Sequence, residues 1–120
     1  MIYIKNVKKT LNNKQKMKRS INIGKNKYSI RKVKVIEKNP DVLGKIKHDR
    51  KQIYIKKQNR KVDKETLYHE IAHGIIVNLA VASIDNDMKL KKIKLLGELN
   101  NDEWFIEYFG NLLRKTFKLK

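Results

Sequence analysis

The stretch that decides the fold runs from residue 63 to residue 82 and reads DKETLYHEIAHGIIVNLAVA. Apolar side chains recur along it every three to four residues, at Leu67, Ile71, Ile75 or Ile76, and Leu79. This spacing predicts a helix with one apolar face. Asp63 can cap the free N–H groups at its start, and Glu65 places a favourable charge in the first turn. We therefore predict a helix from Asp63 to about Ala82.

Residues 69–73 within this helix read His-Glu-Ile-Ala-His, and they hold two of the three histidines in the chain. Positions i and i+4 share one helix face, so His69 and His73 can both reach one metal ion. Glu70 lies at the edge of that face, where it can reach a water molecule on the metal rather than the metal itself. Zinc peptidases use this arrangement, with the Glu as general base. The alternatives are two structural histidines packed between helix and sheet, and a zincin scaffold without activity.

A catalytic zinc site also needs a third protein ligand. The chain contains no Cys, so that ligand must be a histidine or a carboxylate. His48 precedes the motif in a basic stretch, and we interpret it as a surface or loop residue. Asp102, Glu103 and Glu107 lie close together on a predicted last helix, where Glu103 and Glu107 share a face. The residues alone leave the choice between these two carboxylates open.

The half of the chain before the long helix alternates as β-strands do. Strands are predicted around residues 2–7, 21–23, 28–35 and 52–56, with a turn over residues 24–27. A break in the alternation at Arg31-Lys32 indicates a β-bulge. After the long helix we expect a turn over residues 83–87, a short helix over residues 88–96 that Gly97 ends, and a last helix capped by Asn101 or Asp102.

These elements predict an α+β fold, a small N-terminal β-sheet followed by the His-Glu-x-x-His helix and a C-terminal helix. Residues 20–120 form this one domain, and residues 1–19 form a basic extension with a first strand. The last helix carries an aromatic cluster of Trp104, Phe105, Tyr108 and Phe109. We interpret this cluster as core, and a surface for a protein partner is the alternative.

The net charge of +18 lies entirely in the first half, where residues 1–64 hold 22 basic against 4 acidic side chains. A basic half can bind nucleic acid, and Tyr3, Tyr28 and Tyr54 lie among its cations as candidate stacking residues. Lys outnumbers Arg by 25 to 5, which argues against specific base readout. The lack of Cys, of a signal peptide and of an apolar run of about 20 residues predicts a cytoplasmic protein without a membrane span.

The segment Thr66–Gly74, TLYHEIAHG, followed by Glu107-Tyr-Phe-Gly-Asn111, resembles the zincin-type metallopeptidases of the ImmA/IrrE group, especially their short phage and prophage relatives. In that family a Glu-x-x-Ala/Gly-Asn/Asp motif supplies the third zinc ligand, so the resemblance implies Glu107 rather than Glu103. Gly110 stands where the family more often has Ala. The resemblance covers roughly residues 20–115, and the basic segment 83–100 is longer than in compact relatives.

The resemblance also implies an activity. The expected function is zinc-dependent hydrolysis of a specific cytoplasmic regulatory protein, such as a phage-type repressor, with Zn2+ on His69, His73 and Glu107. The strand at Ile53–Lys56 is expected to form the sheet edge beside the active helix, so that Ile53, Tyr54 and Ile55 bind an extended peptide. A nucleic-acid-binding module, or an inactive zincin that binds a protein partner, remains the alternative.

Overall fold

The sheet is built first along the chain and the helices follow. The computed structural model describes residues 19–85 and 90–117. The strands are β1 (Ser20–Ile23), β2 (Asn26–Val33), β3 (Gly44–Lys47) and β4 (Gln52–Lys56). The helices are α1 (Arg60–Asp85), α2 (Leu90–Asn101) and α3 (Glu103–Phe117). This confirms the α+β class. The strand predicted over residues 2–7 and the extension up to residue 18 lie outside the described residues.

One mixed sheet holds the four strands in the order β1-β2-β4-β3. A two-residue turn joins β1 to β2, and its first residue, Gly24, has a φ of 61°, which glycine adopts without strain. β2 runs parallel to β4, and β3 runs antiparallel to β4. β4 is therefore paired on both sides, and the prediction that the Ile53–Lys56 strand forms the sheet edge is wrong. The edge strand on that side is β3.

The side chains of β4 also differ from the predicted peptide-binding role. Ile53 and Ile55 are fully buried in the core beneath α1, and Tyr54 points to the opposite face of the sheet. In the described part of the chain, the outer strand on this side of the sheet is therefore β3. The sequence analysis missed β3 because its four residues, GKIK, contain one large apolar side chain.

Lys32 explains why the alternation of β2 changes near its end. β2 pairs with β4 without interruption from Ser29 to Val33, so the predicted bulge is wrong. The Lys32 ammonium lies on the inner face of the sheet, 3.3 Å from the Asp63 carboxylate, which is only 2% exposed. Asp63 also accepts a hydrogen bond from the backbone N–H of Gln58 at 2.9 Å. An inward-facing charge is tolerated here because it has a buried partner of opposite sign.

Helix α1 is longer than predicted at both ends. Its cap is Asn59, whose side-chain oxygen accepts from the Val62 N–H at 3.0 Å, and not Asp63. At the other end Ser83, predicted to lie in a turn, is still helical and donates its hydroxyl to the Leu79 carbonyl at 2.8 Å. The apolar spacing gave no sign of the first turn, because its exposed positions are basic or polar.

Helix α1 lies across the sheet and forms most of the core with it. The buried residues of this core cluster are Ile23, Tyr28, Ile30, Ile53, Ile55, Leu67, Tyr68, Ile71, Ala72, Ile76, Ile106 and Leu113. The segment Arg60–Ile84 contains an 18-residue window of mean hydropathy 1.3, long and apolar enough by composition to cross a membrane. Within the protein 44% of that window is buried, and core helices of folded domains also pass this test of length and composition.

Helices α2 and α3 complete the domain. Gly97 lies inside α2 and does not end it. Asp102 caps α3 as predicted, since its carboxylate accepts from the Phe105 N–H at 3.1 Å. At Gly110 the backbone of α3 lies close to the backbone of α1. A Cβ atom on it would lie 3.1 Å from the Tyr68 carbonyl oxygen and 3.2 Å from the His69 backbone.

The aromatic cluster of α3 is divided between core and surface. Phe105 and Phe109 are half-buried and pack against the core, as predicted. Trp104 and Tyr108 are 74% and 59% exposed, which contradicts the core prediction for these two residues. Their rings stack with centroids 5.8 Å apart and planes inclined by 10°. They cover each other, and no core neighbour buries them.

Two glycines in helices should respond oppositely to alanine. Gly97→Ala is expected to stabilise the protein by up to about 1 kcal/mol, because alanine favours helix and nothing lies within 4 Å of the new methyl group. Gly110→Ala should lose that gain, because its methyl group presses on the α1 backbone. Urea unfolding of the two variants measures the difference. Equal stabilisation by both would show that α3 is free to move away from α1.

Candidate metal centre

Two histidines of α1 form the centre of the site. The rings of His69 and His73 are half-buried and meet edge to face, with centroids 5.0 Å apart. Burial lowers the pKa of His69, and the neighbouring His73 contributes in the same direction. The neutral imidazole that results is the form that binds a metal ion. The helical spacing of the two residues therefore produces the convergence predicted from the sequence.

Glu103 provides a carboxylate beside both histidines. It is the first residue of α3, and its Oε2 lies 3.6 Å from His69 Nε2. Ligand atoms of His69, His73 and Glu103 all lie within 4.8 Å of one another. Within residues 19–85 and 90–117, this is the one group of three or more such side chains that can hold a metal ion. The Asp102 cap fixes the start of α3 and so places Glu103 over α1.

Asn100 orients the second histidine. Its side-chain oxygen lies 2.8 Å from His73 Nδ1. With an amide oxygen as its partner, Nδ1 is placed to donate a hydrogen bond, and Nε2 is the ring nitrogen left for a metal ion. Histidines that bind metals usually donate the other ring N–H to a partner of this kind. The residues present therefore fit a metal ion, and Asn100 is a supporting residue that the sequence analysis missed.

Removing this support should weaken metal binding. Asn100→Ala is expected to reduce zinc affinity by about 10- to 100-fold, because His73 loses its fixed orientation and proton position. Competition with a chromophoric chelator measures the affinity. The neighbouring exposed Asn101 is the matched control, and Asn101→Ala should leave the affinity unchanged. Equal zinc affinities for the two variants would show that Asn100 does not support metal binding.

Glu107, the third ligand implied by the family resemblance, is not a member of this close group. It lines the adjacent cleft, and its charge opposes the lowering of the His69 pKa, as does that of Glu103. Glu103 and Glu107 share a helix face, as predicted, but it is Glu103 whose carboxylate reaches both histidines. The sequence could not show which of the two carboxylates lies beside the histidines. The position of the first turn of α3 relative to α1 depends on the turn between α2 and α3.

Glu70 lies next to the histidines and is only 7% exposed. Burial raises the pKa of its carboxyl to about 7, and the charge of Glu103 adds to the effect. A carboxyl with a pKa near neutral can both accept and return a proton in neutral solution. A buried carboxyl that titrates near neutral pH therefore lies beside the candidate metal ligands.

Strand β3 passes close to Glu70 because Gly44 has no side chain. A Cβ atom on Gly44 would lie 2.5 Å from Thr66 Cγ2 and 3.0 Å from Glu70 Oε2. The Lys56 N–H donates to the Leu43 carbonyl, which makes Leu43 a hydrogen-bonded partner of β4. Alternation along an antiparallel pair then turns the N–H and C=O groups of Gly44 and Ile46 towards the open edge. Within residues 19–85 and 90–117, no strand pairs with this edge, which lies beside the candidate metal centre.

A cleft of about 630 Å³ lies between the start of β3, α1 and α3. Its lining includes His69, Glu70 and Glu107 at one end and Arg114 at the other. Among the described residues, none hydrogen-bonds the buried Nε of Arg114. Unpaired buried donors are rare in folded proteins, which sets this side chain apart from the other cations of α3. Periodicity could not have identified Arg114, which looks like an ordinary cation near the end of a helix.

His48 follows β3 and is not a member of the metal-binding group. It was interpreted as a surface or loop residue, and it does lie in the turn between β3 and β4. The ring is nevertheless half-buried, 6.5 Å from the Tyr28 ring and edge-on to it. Burial lowers the pKa of His48, and the charge of His73 adds to this effect.

Comparison with known proteins found no matching family model, no matching curated protein and no matching solved structure. The functional argument therefore depends on the geometry and on the sequence motifs. The sequence identified His69, Glu70, His73 and the two candidate carboxylates. It did not identify Asn100 or the contact of Gly44 with Glu70, since each depends on packing between elements far apart in the chain.

Proposed function

We propose that the chain is a zinc-dependent metallopeptidase of the zincin type. The observation that carries the proposal is the convergence of His69, His73 and Glu103 beside the buried carboxyl of Glu70. Two imidazoles and one carboxylate, with no thiolate, are the ligand set of a catalytic zinc site. Such a site keeps a position open, and the neighbouring cleft offers access to it.

Each residue has a distinct role in the proposed reaction. His69, His73 and Glu103 would hold the zinc ion, and Asn100 would fix the orientation of His73. When bound, zinc polarises the scissile carbonyl and lowers the pKa of water towards about 7. Glu70 removes the proton from the attacking water and delivers it to the leaving amine, which its low exposure and its pKa near neutrality suit.

The substrate binds as an additional strand in this proposal. Gly44 and Ile46 on the open edge of β3 offer backbone hydrogen bonds to an extended peptide, and this edge runs over Glu70. The sequence analysis expected a peptide to bind β4 in the same way. With β3 as the edge strand the proposed mechanism is unchanged, but different residues bind the peptide. Side chains of the peptide would extend into the cleft between β3 and α3.

The resemblance to the ImmA/IrrE group suggests the kind of substrate. A specific cytoplasmic regulatory protein, such as a phage-type repressor, suits a short edge strand better than general digestion does. β3 has four residues and presents backbone groups from two of them, so selection must come mainly from side-chain contacts in the cleft. We place the reaction in the cytoplasm on the same resemblance and on the absence of Cys.

Metal analysis combined with a peptide-cleavage assay tests the proposal. Tag-free protein should contain about one zinc ion per chain and cleave at least one member of an extended-peptide mixture followed by mass spectrometry. Glu70→Gln should retain zinc and lose roughly 100- to 10,000-fold in cleavage rate. Failure to bind metal when zinc is supplied would overturn the proposal.

Bound zinc without cleavage of any peptide would favour a second candidate, an inactive zincin scaffold. The stacked and exposed pair Trp104 and Tyr108 is the observation that supports it, because such aromatic side chains are common at binding surfaces. In that case Trp104→Ala should abolish partner binding while leaving the zinc content unchanged.

A further inference from the structure

The two faces of the sheet differ sharply in chemistry. The face that meets α1 is apolar except for Lys32 and Asn26. Strand residues on the opposite face, called here the outer sheet face, are Ser20, Asn22, Lys27, Ser29, Arg31, Val33, Lys45, Lys47, Gln52, Tyr54 and Lys56. These strand residues include five cations and no acidic residue, and none of them is buried. The sheet therefore concentrates part of the charge excess of the chain on one surface.

Strand register sets the cations around a single aromatic ring. Arg31, Tyr54 and Lys45 are direct neighbours across β2, β4 and β3. Neighbouring strands lie about 4.8 Å apart, so the Arg31 and Lys45 backbones are roughly 10 Å from each other with Tyr54 between them. The Lys47 ammonium lies 5.3 Å from the centroid of the Tyr54 ring. The arrangement combines a half-exposed ring with cations on three sides.

Within residues 19–85 and 90–117, α1 is the sole helix that contacts the sheet, and it does so on the inner face. The outer sheet face is therefore not a helix-packing surface in the described part of the chain. Like charges clustered on one surface repel each other, and a polyanion relieves that repulsion. Nucleic acid supplies both a regular series of phosphates and flat bases, which match the cations and the ring respectively.

We infer that the outer sheet face binds single-stranded nucleic acid without sequence specificity, with Lys27, Arg31, Lys45 and Lys47 contacting phosphates and Tyr54 stacking on a base. Four of the five cations are lysines, which act as point charges and do not provide bidentate base readout. The surface lies on the side of the sheet opposite α1 and the candidate metal centre. The inference therefore does not rest on the proposed peptidase activity.

Glu37 modulates this surface. Its carboxylate lies 2.6 Å from the Lys45 ammonium and 3.5 Å from that of Lys47. The hydrogen bond from Lys45 lowers the pKa of Glu37, which therefore stays ionised. As an internal counter-ion, Glu37 competes with phosphates for both lysines. Neutralising it should strengthen nucleic-acid binding, a gain that damage to the fold would not produce.

Two triple variants with equal charge test the location of the binding surface. The sheet variant is Lys27→Gln/Arg31→Gln/Lys45→Gln, and the control is Lys91→Gln/Lys92→Gln/Lys94→Gln on α2, where the three lysines are also exposed. Fluorescence anisotropy measures binding of the full chain to a labelled thymidine strand of about 20 nucleotides, across a range of salt concentrations. Circular dichroism checks that both variants fold.

The sheet variant should bind roughly 100-fold more weakly at about 50 mM salt, and its salt slope should fall by about 2, corresponding to three lost phosphate contacts. The α2 control should change less than about fivefold. Tyr54→Leu should cost roughly tenfold on the single strand and little on a duplex of the same length. Glu37→Gln should bind more tightly than the wild type.

Other outcomes would overturn the inference. Equal weakening of the two triple variants would mean that net charge alone drives binding. A duplex bound more tightly than the single strand, with no effect of Tyr54→Leu, would reject the stacking surface. Polyglutamate that competes as well as the thymidine strand, charge for charge, would indicate an acidic protein as the partner. Zinc content of the same variants should equal that of the wild type, which separates this result from any failure of the peptidase proposal.

Discussion

Replacing Glu103 by glutamine is expected to weaken zinc binding by more than the roughly 10- to 100-fold typical of an outer supporting residue, because a direct ligand is lost. Its carboxylate lies with both histidines, within 4.8 Å of their ring nitrogens. Glu107→Gln should cost less than about tenfold, because Glu107 lines the cleft and acts on His69 through its charge. The measured quantity is the ratio of the zinc affinities of the two variants.

Tag-free protein, titrated with zinc against a chromophoric chelator, provides the affinities. His48→Ala is the matched control among the histidines, since His48 is outside the metal-binding group and should leave affinity unchanged. The opposite ranking, with Glu107→Gln the more damaging, would support the assignment implied by the ImmA/IrrE resemblance. It would also mean that α3 turns relative to α1 when the metal binds. Unchanged affinity in both variants would remove α3 from the site.

Glu70→Gln is expected to stabilise the metal-free protein at pH 8 by on the order of 3 kcal/mol, although the same change removes the proposed catalytic base. Burial raises the Glu70 pKa from 4.5 to about 7, and each unit corresponds to about 1.4 kcal/mol. When the pKa of a carboxyl is raised on folding, the folded state is more stable with that carboxyl protonated than with it ionised. That contribution is complete below pH 4.5 and is lost as the pH rises through about 7.

The measurement is the free energy of unfolding by urea between pH 4.5 and pH 8.5, with a chelator present so that no metal ion occupies the site. The wild type should lose stability relative to Glu70→Gln over this range and then reach a plateau. Glu65→Gln removes a half-buried carboxyl from the same helix and should not reproduce the change. Parallel pH profiles for wild type and Glu70→Gln would show that the Glu70 carboxyl is hydrated rather than buried. Added zinc should stabilise the wild type, since it binds only the folded chain.

Local sequence was sufficient for the long helix and for three of the candidate site residues. His69, Glu70 and His73 need only the helical repeat to share one region of the surface, and the apolar spacing from Leu67 onward establishes that repeat. The β1–β2 hairpin and the β4 strand were also predictable, because Gly24 permits the tight turn and β-branched residues fill the strands. The cap of α3 by Asp102 was also predictable, because a helix cap involves atoms of residues only three positions apart.

Tertiary structure alone decided the rest. Strand order depends on which strands pair across the sheet. The edge strand is β3 rather than the predicted β4, and the sequence of β3 has little strand character. The break in alternation at Lys32 was predicted to be a bulge, but its ammonium instead pairs with the carboxylate of Asp63, which is buried and needs a partner of opposite charge. The position of Glu103 rather than Glu107 beside both histidines, and the contact of Asn100 with His73, depend on how α2 and α3 dock onto α1. Sequence spacing determines where residues lie within one element. The distances between elements depend on side-chain packing, and on glycines such as Gly44 and Gly110 that allow a close approach.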